Sequence, residues 1–110
     1  YSWNWGHVHF INLGIVVGPV PEVARKRRYA PADSLPFLLD DLKQHASDGR
    51  PVVLTHHIDV SRYSGPCDRE AEPNGGEWDS CDVAAYYEAI SRFNVAAVLF
   101  GHTHVRNIFR

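Results

Sequence analysis

An α/β layered fold is predicted for this chain, and three observations carry the prediction. Two short apolar runs, Pro51-Val-Val-Leu-Thr55 and Val95-Ala-Ala-Val-Leu-Phe100, have the length and β-branched content of buried parallel strands. Each run follows a segment whose apolar residues recur at helical spacing, and that alternation belongs to layered α/β domains. Histidines then follow both runs closely, His56-His57 after the first and His102 and His104 after the second. In open α/β sheets, ligands gather at the carboxyl ends of the strands.

The elements follow in order. Tyr1-Ser-Trp-Asn-Trp5 is an aromatic strand ending at Gly6, and a second strand runs from about His7 to Leu13. Residues 14–18 continue it or begin a turn, and Pro19 and Pro21 end it. Residues 19–33 form a surface loop whose basic run, Arg25-Lys26-Arg27-Arg28, is a solvated face rather than a phosphate contact. A helix then starts at an Asp33 or Ser34 cap, with Pro36 in its first turn. Its apolar face is Leu35, Leu38, Leu39, Leu42 and Ala46, while Asp40, Asp41, Lys43 and Gln44 take the polar face. Gly49 closes it, and His45 near its end is structural or solvated.

After the strand at 51–55 comes a long segment, 58–80, rich in Gly and Pro and without periodicity. Loops of this length inside compact domains are functional or disordered. A second helix, capped by Asp79, Ser80 or Asp82, carries the apolar face Val83, Tyr86, Tyr87, Ile90 and Phe93. The strand at 95–100 follows, and Val105 to Arg110 starts another.

Composition narrows the function classes. The chain has 110 residues, 45% of them hydrophobic and 22% charged, which suits one globular domain or part of one. A net charge of −2 argues against general nucleic-acid binding. No apolar run approaches the roughly 18 residues of a membrane span. The chain begins at Tyr1, contains no Met and stops just after Ile108-Phe109, so a piece of a longer enzyme is expected, with a processed mature domain as the alternative.

Imidazole is the commonest metal ligand. In Gly101-His102-Thr103-His104, an extended backbone would point both imidazoles the same way, and Gly101 would supply any unusual backbone angle. His56 and His57 are adjacent, so one of them is expected to face the same site. Three converging imidazoles suit zinc, manganese or iron. The similar string Gly6-His7-Val8-His9 begins a strand instead of ending one and is read as a chance echo. Cys67 and Cys81 are too few for a four-thiolate zinc site. They form either one disulfide, in an oxidising compartment such as the periplasm or outside the cell, or two separate thiols.

Gly101-His102-Thr103-His104 after an apolar strand resembles the last signature of the calcineurin-like metallophosphoesterases. Val52-Val-Leu-Thr-His-His57 resembles the preceding signature of that family, and Tyr1-Ser-Trp-Asn-Trp-Gly-His-Val-His-Phe10 resembles the strand before both. Phe93-Asn94-Val95 is similar to a segment found before the final strand in bacterial members. The resemblance covers nearly the whole chain. It implies the C-terminal part of a four-layer α/β/β/α sandwich, with residues 1–110 a partial catalytic domain. It implies hydrolysis of phosphoric mono- or diesters by water activated at two divalent metal ions, manganese, iron or zinc. His102 and His104 correspond to ligands that usually reach different metals. His57 corresponds to a ligand of the second metal, with His56 as the alternative. The Pro that commonly follows this histidine is replaced by Ile58-Asp59.

The family's Asp-x-His, Gly-Asp-x-x-Asp and Gly-Asn-His signatures are absent. Two divalent ions roughly 3.5–4 Å apart need bridging carboxylates, and Asp59 alone does not replace them. The resemblance therefore implies that the missing N-terminal half is a partner of this chain, that the catalytic acid lies outside it, and that the isolated chain is inactive. Arg62, Tyr63 and Arg69 in the 58–80 segment are candidate substrate contacts. The competing reading is a non-catalytic interaction domain holding one structural zinc through His57, His102, His104 and a fourth ligand such as Asp59 or a Cys. A cysteine hydrolase is disfavoured, because neither Cys sits beside an obvious base.

Overall fold

The structure is a computed structural model, and it describes residues 1–14, 34–63, 65–67, 80–102 and 104, with only the backbone of 62 and 63. The expected loop at 19–33, the residue Arg69 and the strand at 105–110 lie outside the described residues. So do the side chains of Arg62 and Tyr63.

The elements are β1 (Ser2–Trp5), β2 (Val8–Asn12), α1 (Ser34–His45), β3 (Val52–Thr55), a short 3-10 helix (Val60–Tyr63), α2 (Ser80–Ile90) and β4 (Val95–Leu99). They build a mixed α/β fold with one four-stranded sheet in the order β1-β2-β3-β4. The first pair is antiparallel, and β2, β3 and β4 run parallel. Gly6 makes the hairpin between β1 and β2 feasible by taking φ +58, a left-handed angle that costs a glycine little.

Side chains alternate across the sheet. Ile11 of β2 lies opposite Leu54 of β3, which lies opposite Val98 of β4. These three face both helices and join Leu35, Leu38 and Leu42 of α1 and Val83, Tyr86, Ala89 and Ile90 of α2 in one core. Ile11, Leu38, Leu42, Val52 and Leu54 are wholly buried, and each such side chain contributes about 1.5–3 kcal/mol. Helix α1 ends as its composition dictates. Lys43 and His45 occupy its last turn, where cations oppose the helix dipole, and Gly49 leaves at φ +82.

Three expectations need correction. The strand at 95–99 is not buried: it is the sheet edge among the described residues, and Leu99 is 57% exposed. An apolar run reports burial only where a layer covers both faces, and both helices lie on one face. Phe93 follows α2 rather than riding on it and packs against the core from the next turn. Asp41, expected on the polar face of α1, is buried. Its Oδ2 lies 2.6 Å from His9 Nε2 and its Oδ1 accepts from the Ser2 hydroxyl at 2.6 Å. The carboxylate is drawn inward because β2 places an imidazole under the helix at that point. Asn4 Oδ1 lies 2.7 Å from the other ring nitrogen of His9, so this histidine ties the hairpin to α1.

The opposite sheet face carries Trp3, Phe10, Val53 and Ala97 in one row across all four strands. Trp3 stacks on Phe10 at 5.2 Å between ring centres. No described element covers this row, and Trp5 beside it is 77% exposed. Among the described residues no helix is long and apolar enough to cross a membrane.

Candidate metal centre

Strands β3 and β4 end side by side, and the backbone ladder continues past both. His56 N–H donates to the Leu99 carbonyl at 3.0 Å, and Gly101 N–H donates to the His57 carbonyl at 3.1 Å. The chain leaving β3 is thereby locked to the chain leaving β4 at the carboxyl end of the sheet.

Alternation decides what the adjacent histidines do. His56 continues the inward positions Val52 and Leu54 and is buried, whereas His57 is exposed at the rim. One ring nitrogen of His56, Nδ1, lies 2.7 Å from the Ile58 carbonyl. A carbonyl only accepts, so Nδ1 carries a proton. The neutral ring then accepts at Nε2 from the Tyr86 hydroxyl, 3.1 Å away. Burial lowers the His56 pKa, against smaller opposing effects from the Ile58 carbonyl and the Asp59 charge. Burial likewise pushes the Tyr86 phenol up. Both ring nitrogens of His56 are thus engaged inside the fold, and the ring pins the turn from which His57 projects.

His57 Nε2 lies 3.0 Å from His102 Nδ1, with ring centres 4.9 Å apart and planes nearly perpendicular. Two imidazole nitrogens bound to one ion at ~2.1 Å sit about 3.4 Å apart at the tetrahedral angle and about 3 Å apart at the right angle of an octahedral ion. The spacing and the donor chemistry of this pair therefore fit one divalent cation. With a proton between them, the same two nitrogens make an N–H···N hydrogen bond.

The backbone around His102 departs from the extended form expected. His102 has φ +72 and His104 φ +58, while Gly101 has an ordinary negative-φ backbone. Left-handed angles on residues with a β-carbon cost of order 1–3 kcal/mol each and collect at functional sites. The alternation argument fails here because it holds only for extended chain. His104 is exposed and does not join His57 and His102 as a third ligand. Among the described residues, no three His, Cys, Asp or Glu side chains form a metal-binding group. Asp59 is engaged elsewhere, its Oδ1 accepting from the Ser61 N–H at 3.0 Å and the Ser61 hydroxyl at 2.7 Å.

Cys67 and Cys81 are bonded, with an S–S distance of 1.98 Å. The bridge attaches the chain after the 3-10 helix to the first turn of α2. His7 lies in the hairpin turn and is exposed, and His45 is 4.0 Å from Asp41 through Nε2. Sequence reasoning missed Asp41 and Tyr86 as partners of histidines. A buried-face histidine in β2 was the one available sign for Asp41, and nothing local marked Tyr86. Comparison with family models, curated proteins and solved structures finds no match to this chain.

Proposed function

We propose that this chain supplies imidazole ligands to the metal centre of a phosphoric ester hydrolase of the calcineurin-like metallophosphoesterase type. The observation that carries the reading is the approach of His57 Nε2 to His102 Nδ1, 3.0 Å apart at the ends of two adjacent parallel strands. In this reading His57 and His102 hold one divalent ion together, and His104 reaches a second. The carboxylates that neutralise two such ions, and the catalytic acid, come from outside this chain. When bound, the ions lower the pKa of a water and polarise phosphoryl oxygens. The net reaction adds water across the ester: a P–O bond forms to the water oxygen, the ester P–O bond breaks, and the leaving oxygen takes a proton.

The uncovered aromatic row on the sheet supports the finer architecture as well. A face carrying Trp3, Phe10 and Val53, with both described helices on its other side, suits a second sheet packed against it in a four-layer sandwich.

The test is manganese-dependent hydrolysis of phenyl phosphate by the full-length protein containing this chain. His102→Ala is expected to abolish turnover, and unchanged turnover would refute the assignment. A single tight zinc site with no hydrolysis would favour the interaction-domain reading.

A further inference from the structure

On the α2 side of the sheet, where the chain leaves β3 and β4, the fold holds a pocket of about 210 Å³. Among the described residues its walls are mainly apolar: Val98 and Phe100 at the end of β4, and Tyr86 and Tyr87 of α2. Asp59, Val60 and Ser61 of the segment after β3 complete it. Tyr87 and Phe100 are both more than one-third exposed, so the pocket opens to solvent. Its inner wall is fixed, because the Tyr86 hydroxyl is bonded to His56 and the Phe100 ring stacks near the His56 ring at 6.2 Å.

We propose that this pocket receives the uncharged, aromatic portion of the phosphoester, the part that departs with the leaving oxygen. The proposal rests on the phosphoester reading above and adds the substrate class. Three observations argue for a ring there. An apolar cavity of ~150 Å³ is enough for benzene, so the volume suits one ring. Position is the second: Asp59 lies two residues after His57 and Phe100 two residues before His102. Two residues span at most about 7 Å, and the Gly101 N–H donates to the His57 carbonyl at 3.1 Å, so the chain on either side of the pocket leads directly into the two imidazole-bearing turns. Charge is the third. The Asp59 carboxylate at the wall repels a phosphoryl anion, and its charge, after burial, helps hold the Tyr87 phenol above its ordinary pKa. The anionic end of the ester therefore belongs at the imidazoles and the neutral end in the pocket.

The test uses two non-hydrolysable probes, benzylphosphonate and methylphosphonate, titrated into the full-length zinc-loaded protein and followed by amide NMR shifts. Burying a ring predicts that benzylphosphonate binds about tenfold tighter or more, with shifts at Ser61, Tyr87 and Phe100. Ser61→Trp, which fills the pocket from its exposed side, is expected to erase the preference and leave methylphosphonate binding intact. Tyr87→Ala, which removes one wall, is expected to reduce the preference and serves if the first variant does not fold. Equal affinity of the two probes, or ring-dependent shifts confined to other residues, overturns the pocket assignment. Failure of the phosphoester reading is separately visible, as absent phenyl phosphate hydrolysis together with absent methylphosphonate binding, and it overturns the proposal too.

Discussion

Asp41→Ala is expected to be among the most destabilising single substitutions on helix α1. The carboxylate is 7% exposed. It meets His9 Nε2 at 2.6 Å through one oxygen and the Ser2 hydroxyl at 2.6 Å through the other. Its removal leaves a buried imidazole without its acidic partner and cuts the tie between α1 and the β1–β2 hairpin. Breaking a buried pair from one side costs about 3–5 kcal/mol. Against a domain stability of ~5–15 kcal/mol, that is a large fraction. At a urea dependence of ~1–3 kcal/mol per molar, the midpoint falls by roughly 2 M. The assay is urea unfolding followed by circular dichroism, with His9→Ala and the double variant completing a cycle. The two single effects are expected to be far from additive, because both remove the same contact. A solvated helix residue would change stability by no more than about 0.5 kcal/mol. A loss that small for Asp41→Ala would refute the buried-pair account.

Three further outcomes are expected. Tyr86→Phe deletes the hydroxyl that donates to His56 Nε2 and costs about 0.5–1.5 kcal/mol, the net worth of one hydrogen bond; no change in the unfolding midpoint would contradict the contact. His56 has a lowered pKa in the fold, so below about pH 6.5 the unfolded chain takes up the proton more readily than the native one. Its stabilisation is complete above that pH and declines as pH falls through it, by up to ~1.4 kcal/mol per pH unit. Unfolding midpoints between pH 7.5 and 5 check this, and a His56→Gln variant with the same slope as the parent would contradict it. Reduction of Cys67–Cys81, residues 14 apart, is expected to cost about 3 kcal/mol; two free thiols in the unreduced protein by thiol titration would remove the bridge from the account.

The parts of the fold that could be read from sequence are those set by local pattern. Val52–Thr55 and Leu35–Leu42 declared themselves because a short continuous apolar run and a period-3.6 apolar spacing each reflect contact with one core. Which of His56 and His57 turns inward was open in sequence and follows from strand alternation once β3 is seen to continue inward at position 56. Asp41 misled, since charge on a helix reads as solvent exposure until a distant strand supplies an imidazole. The form of the Gly101-His102-Thr103-His104 turn was hidden for a related reason. Glycine is the residue that tolerates left-handed angles, yet His102 and His104 adopt them, with His102 seated 3.0 Å from His57. Burial of β4 also depended on a layer beyond any local signal.

Whether His57 and His102 share one cation, as proposed, is read most directly by imidazole nitrogen NMR during zinc titration. A shared ion is expected to shift His57 Nε2 and His102 Nδ1 together, at the same ion equivalent, while the engaged nitrogens of His9 and His56 stay unchanged. Shifts of the two nitrogens at different equivalents, or of only one of them, would contradict it.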